Sequence, residues 1–197
     1  MIEILDNLGI LARPDLDLST LSLAGARYGS NAATSIDRAR IKEVTFSPIV
    51  RRGRSSTGIE SEYYAADGRR IPLDEVIDSV ITADGMLHLH GHVSYKIAAG
   101  IVVGFALYGA DRGHLTYFRH LRSYDDFLAA FGRPDRVERN EAFGDLLGYD
   151  NSYWASKKQA NWDSWDERLS SVSLGSYEGN NGPSEPPKSH VRPLDRP

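Results

Sequence analysis

Residues 87 to 97 alternate so strictly that they fix the kind of layer this chain must build. Leu87, Leu89, Val93, Tyr95 and Ile97 fall on one parity with Gly91 between them, while His88, His90, His92, Ser94 and Lys96 fall on the other. Period-two alternation marks a strand with one face on a core and one toward solvent or a partner. The segment therefore reads as a single strand. Ala98-Ala99-Gly100 then turns into residues 101 to 108, which are apolar on both faces and so form a central strand.

Two amphipathic helices flank this pair. Leu73, Val76, Ile77 and Val80 follow the i, i+3, i+4, i+7 pattern, with Pro72 at the opening turn and Asp84-Gly85 closing the segment. Further on, Ser123 precedes Asp125 and Asp126 in a first turn that suits the helix dipole. Tyr124, Phe127, Leu128 and Phe131 make the apolar face, and Gly132 with Pro134 stops it. Residues 152 to 156, 158 to 162 and 168 to 174 read as strands, with Asp163-Ser164-Trp165-Asp166 as a turn. Nearer the N-terminus, residues 16 to 23 read as a strand and 32 to 39 as a short helix. Residues 42 to 50 and 59 to 65 read as a hairpin around the loop at 51 to 58.

The order helix, strand, strand, helix, strands predicts an α+β protein whose antiparallel sheet has helices packed on one face. Each helix is followed by a hairpin, so the chain also reads as two helix-plus-hairpin units. Residues 1 to 175 form the expected single folded domain. Residues 176 to 197 carry five prolines and the run Gly179-Asn180-Asn181-Gly182 with little that is apolar, so the expectation there is a disordered tail.

Composition removes whole classes of chemistry. Without a cysteine the chain has no disulfide, thiolate zinc site, iron–sulfur cluster or cysteine nucleophile. A net charge of −4 argues against binding nucleic acid through overall charge. The opening residues, with Glu3 and Asp6, carry acids where a signal peptide has a basic region, and the longest apolar run, 97 to 107, is broken by Gly100 and Gly104. That run is far below the ~20 residues that span a bilayer. The expectation is a cytoplasmic protein with no membrane partner. Phosphate-loop, dinucleotide-fold and nucleophile-elbow motifs are all missing from the sequence, and no cofactor is expected.

Three constellations remain. On one strand face, His88, His90 and His92 would stand ~6.6–6.8 Å apart, close enough for two imidazoles to share a metal ion. A third ligand from His114, His120 or a carboxylate would complete a metal-dependent enzyme site, the alternative reading; the preferred one is a polar strand face that uses histidine. The second constellation is acidic and aromatic. From 138 to 167 there are seven acids against three bases (Arg139, Lys157 and Lys158), together with all three tryptophans, Trp154, Trp162 and Trp165. Tryptophan is enriched at binding hot spots, and acidic surfaces steer basic partners. Asp145, Asp150, Trp154, Asp163, Trp165 and Asp166 are therefore the candidate partner-binding residues. Trp162, on a strand, is the one most expected in the core. Third, Arg38, Arg40, Lys42, Arg51, Arg52 and Arg54 face only Glu43 in their stretch; with no aromatic side chains interleaved, they read as a solvated loop.

The run Ser123-Tyr124-Asp125-Asp126-Phe127, then Phe131-Gly132-Arg133-Pro134-Asp135, then Tyr153-Trp154, Trp162 and Val172-Ser173-Leu174-Gly175 resembles a known unit. It is the helix-plus-meander shared by BamE-like and β-lactamase-inhibitor-like proteins, and it is also similar to small bacterial immunity proteins. The resemblance, over residues 123 to 175, implies a binding module without chemistry of its own. The expected function is accordingly a non-enzymatic immunity or inhibitor protein that blocks another protein, a toxin or an enzyme with a basic surface.

Overall fold

The alternation at 87 to 97 runs through a turn. The structure, a computed structural model, describes residues 1–45, 50–52, 62–109 and 113–175. It places Gly85–Leu89 and Val93–Ala98 in two antiparallel strands, with Leu87 opposite Tyr95 and Leu89 opposite Val93. Between them Gly91 (φ +86°) and His92 (φ +62°) take the left-handed conformation that reverses the chain. A three-residue loop leaves paired positions on the same parity, so odd residues face the core on both strands. Such a hairpin and one long strand carry the same period, and the single-strand expectation is corrected on that ground.

The strands are β1 (Ile2–Glu3), β2 (Leu21–Leu23), β3 (Ala26–Arg27), β4 (Ile41–Thr45), β5 (Val50–Arg52), β6 (Glu62–Tyr64), β7 (Arg70–Ile71), β8 (Gly85–Leu89), β9 (Val93–Ala98), β10 (Ile101–Tyr108), β11 (Arg136–Ala142), β12 (Asp145–Tyr153), β13 (Lys158–Asp163) and β14 (Arg168–Gly175). Eight of them build one antiparallel sheet in the order β11-β12-β13-β14-β10-β9-β8-β4. The expected central strand is β10, which pairs with β9 on one side and β14 on the other. Two three-stranded sheets, β1-β2-β3 and β5-β6-β7, complete the mixed α+β architecture.

Helices α1 (Ala32–Ser35), α2 (Leu73–Thr82) and α3 (Tyr124–Phe131) join them. Helix α2 buries Val76, Ile77, Val80 and Ile81 and packs against β4 and β8. Helix α3 starts where the Ser123 hydroxyl accepts the Asp126 N–H at 3.1 Å, a cap worth about 1 kcal/mol. Its Phe127 and Phe131 are fully buried, and Gly132, at φ +77°, ends it. The Phe127 ring lies 5.7 Å from that of Trp162, and Tyr124 stacks on Tyr149 at 4.1 Å, so α3 sits on β12 and β13.

The N-terminal segment supplies Ile4, Leu11, Leu21 and Leu23 to the core, all fully buried. Polar groups drawn in with it are satisfied, as buried polar groups must be. The Tyr95 hydroxyl donates to Leu23 O at 2.8 Å, and Lys158 Nζ donates to Leu11 O at 3.0 Å and Arg13 O at 2.7 Å.

Other expectations shift in detail. The strand expected at 16 to 23 is a short 3-10 turn (Leu18–Thr20) followed by β2, and the helix expected at 32 to 39 ends at Ser35. The hairpin expected from 42 to 65 divides: β4 joins the large sheet beside β8, and β5 pairs with β6. The strand expected at 152 to 156 instead runs from Asp145 to Tyr153, and its partner β11 was not foreseen. Arg38 pairs with Asp78, while most of the basic loop at 51 to 58 and the whole of 176 to 197 lie outside the described residues.

Candidate partner-binding site at one end of the sheet

Two neighbouring turns carry the acidic and aromatic residues to one end of the large sheet. The first closes β11 onto β12, where Ala142 pairs with Asp145 across Phe143-Gly144. Phe143 (φ +54°) and Gly144 (φ +90°) both lie at positive φ, the conformation that two-residue hairpin loops require and that Asn-Gly supplies best. The corresponding turns Ala24-Gly25 and Ala99-Gly100 put the small residue alanine at this place. A bulky ring there is strained. It is also fully exposed.

The second turn links β13 to β14. Asp163 Oδ1 accepts the N–H groups of Trp165 at 2.9 Å and Asp166 at 3.0 Å, an Asx-type turn that fixes the loop from its first residue. Trp165 stands 75% exposed on it. The second turn is tied to β12, three residues past the first turn, where Ser164 N–H donates to Leu147 O at 2.9 Å. Gly148, opposite Asp163, allows this approach, because a Cβ there would collide with the Trp162 carbonyl oxygen. One end of the sheet thus presents Phe143, Leu147 and Trp165 beside Asp145, Asp163 and Asp166. Asp166 is paired with Arg168 at 2.5 Å and Glu141 with Arg139 at 2.9 Å, whereas Asp145 makes no ion pair among the described residues.

Four of the six residues singled out from the sequence come together here: Asp145, Asp163, Trp165 and Asp166. Asp150 lies further along β12, opposite Asn161 and half-exposed. Trp154 does not join them. It sits in the turn at the far end of β12, half-buried, with its backbone N–H donating to Asp135 Oδ2 at 2.7 Å. Trp162 is in the core, 3% exposed. Sequence reasoning missed Phe143 and Leu147, because Phe-Gly is a poor turn sequence and nothing around it marks a two-residue turn.

The histidines take other roles. Nδ1 of His88 is 2.7 Å from the Ser94 hydroxyl oxygen and its Nε2 is 2.9 Å from Thr45 Oγ1. The His92 ring meets Tyr108 edge-on at 5.7 Å, and His90 is exposed in the hairpin loop. The strand face that was to align all three ends at Leu89, so only His88 remains on it. Among the described residues no group of three or more histidine, aspartate or glutamate side chains is placed to hold a metal ion.

No protein-family model, curated protein or solved structure matches this chain. The site therefore has to be read from its own chemistry. Its described side chains are aromatic rings, an aliphatic chain and carboxylates, a set suited to contact and charge complementarity. No helix among the described residues is long and apolar enough to cross a membrane.

Proposed function

We propose that this chain is a non-enzymatic protein-binding module, of the immunity or inhibitor kind, that blocks a partner with a basic surface. The observation that carries the reading is the exposure of two aromatics, Phe143 and Trp165, on adjoining turns among carboxylates. Large aromatics at hot spots supply much of the energy of an interface, and flanking acids accelerate encounter with a basic partner. The same acids disfavour an anionic membrane surface as the target. In this reading α2 with β8–β10 and α3 with β11–β14 are two helix-plus-meander units whose helices share one face of the sheet. The acidic end is then carried by the second unit, within the cytoplasm.

The test pairs stability with binding. Trp165→Ala is expected to unfold at the parental temperature, because its ring is outside the core, and to bind a partner co-purified from the native cell about 30-fold more weakly, a loss of ~2 kcal/mol. Asp163→Asn with Asp166→Asn keeps an oxygen for the turn and is expected to slow association and flatten its salt dependence. A Trp165→Ala protein that folds and binds like the parent would remove this end of the sheet from the interface.

A further inference from the structure

A cleft of about 240 Å³ opens between the 3-10 turn His114–Phe118, the residues that follow it, and the start of β14. Its floor is apolar, with Leu115, Phe118 and Leu169 all buried. Its walls carry Arg119, Arg122 and Arg168 together with the carboxylates of Asp166 and Glu167, a surplus of one positive charge. Arg168 is engaged by Asp166, but Arg119 and Arg122 are exposed and make no ion pair among the described residues. An apolar floor with a cationic rim fits an aromatic group flanked by carboxylates, and a cavity of about 150 Å³ already suffices for a benzene ring.

The chain carries that complement itself. The β11–β12 tip presents the Phe143 ring between Glu141 and Asp145, and the full exposure of Phe143 shows that it does not fill the cleft of its own molecule. Tip and cleft belong to the same end of the sheet, since Leu147 of β12 is bonded to the β13–β14 turn that borders the cleft. A two-fold axis there lets one contact be made twice, the usual geometry of a homodimer.

We propose that two copies of this chain associate about such an axis, each seating its Phe143 ring in the arginine-rimmed cleft of the other, with Glu141 and Asp145 against Arg119 and Arg122. Burying the ring offsets the strain of its left-handed backbone, and the arginines meet carboxylates. Because the contact uses Phe143 and Asp145, self-association and a foreign partner seated on that tip exclude one another, and the probe here is the protein alone.

Sedimentation equilibrium across a concentration series is expected to show a monomer–dimer equilibrium that weakens with salt. Phe143→Asn, which suits the turn, and Arg119→Glu combined with Arg122→Glu on the exposed rim should each melt no lower than the parent and raise the dissociation constant at least 30-fold. Phe143→Ser serves as a second tip variant. An equimolar mixture of the tip and rim variants should form a heterodimer of intermediate affinity, because one brings an intact cleft and the other an intact tip. A parent that stays monomeric at about 1 mM, where even weak pairing is populated, overturns the proposal. So does a dimer indifferent to both variants, or a mixture that associates no better than either variant alone.

Discussion

Replacing Lys158 with Ala is expected to destabilise the fold by about 4 kcal/mol or more, an effect far beyond that of an ordinary lysine on a sheet. The side chain is fully buried, and its ammonium is the donor for two carbonyls of the N-terminal segment, those of Leu11 and Arg13. It also lies over the rings of Tyr153 at 4.2 Å and Phe131 at 5.1 Å. Truncation leaves both carbonyls without that donor and a void beneath the N-terminal segment. Burial pushes the ammonium's pKa down to about 7, and the nearby Asp15 draws it partly back. Unfolded, the same group holds its proton to about 10.5. Between these values the unfolded chain binds more protons than the native one, so Lys158 makes stability rise with pH, at up to about 1.4 kcal/mol per unit. The neutral amine still donates two N–H groups, one for each carbonyl, so the anchor survives loss of the proton. Lys158→Met keeps much of the volume and removes the titration. Denaturant unfolding of both proteins from pH 6 to pH 9.5 should show the parent gaining relative to Lys158→Met as pH rises. Equal slopes would mean that the ammonium is solvated in the folded chain. Above pH ~10 the absolute stability of both proteins falls, because the buried Tyr95 and Tyr153 hydroxyls, with pKa values raised by burial, keep protons that the unfolded chain releases; the difference between the two proteins is untouched by this.

Lys158 also shows where sequence reading stops. Counted by type, it is one of three bases that temper the acidic stretch from 138 to 167. Placed in the structure, its charge is inside the protein, and the surface acids of that stretch are met instead by arginines, Glu138 by Arg136, Glu141 by Arg139 and Asp166 by Arg168. Helix α2 was legible from Pro72 at its opening turn and its apolar stripe, and α3 from its Ser123 cap, apolar stripe and Gly132 stop. The strands β13 and β14 were legible because an acid-rich turn separates two alternating runs. Strand β11 was not, because as the edge of the sheet its residues are mostly exposed on both faces, so Arg136 to Ala142 carry no hydrophobic period. The His-bearing hairpin failed for the opposite reason, since its period was perfect and an odd loop conserved it. Trp165 could be placed from the aspartates around it, which predict a turn. Phe143 could not, because Phe-Gly is a poor turn sequence and only the backbone geometry reveals what the pair does. The sequence therefore located the acidic component of the candidate site better than its exposed Phe143 tip.

The same junction sets the second large effect. Phe131→Ala is expected to cost about 3–5 kcal/mol, the range for truncating a buried aromatic. Phe131 is fully buried at the last position of α3, stacked on Phe127 at 4.7 Å and tilted against Phe118 at 5.2 Å. Three parts of the chain meet on it: the helix, the 3-10 turn that ends at Phe118, and β13 through the Lys158 ammonium above its ring. The surrounding backbone has little freedom to collapse into the void, because Gly132 ends the helix at positive φ and its carbonyl accepts the Tyr153 hydroxyl at 3.0 Å. For a chain of this size the loss should appear as a melting temperature roughly 6–20 °C lower. Residues that share one ring are not independent, so Phe131→Ala and Lys158→Met should be non-additive, with a coupling of about 0.5 kcal/mol or more. Thermal and denaturant unfolding of the two single variants and the double variant measure both quantities. A loss below about 1 kcal/mol for Phe131→Ala would detach α3 from the core, and with it the seating of the meander that carries Phe143 and Trp165. Strict additivity would separate the ring from the ammonium, leaving the two carbonyl bonds as the whole of the N-terminal anchor.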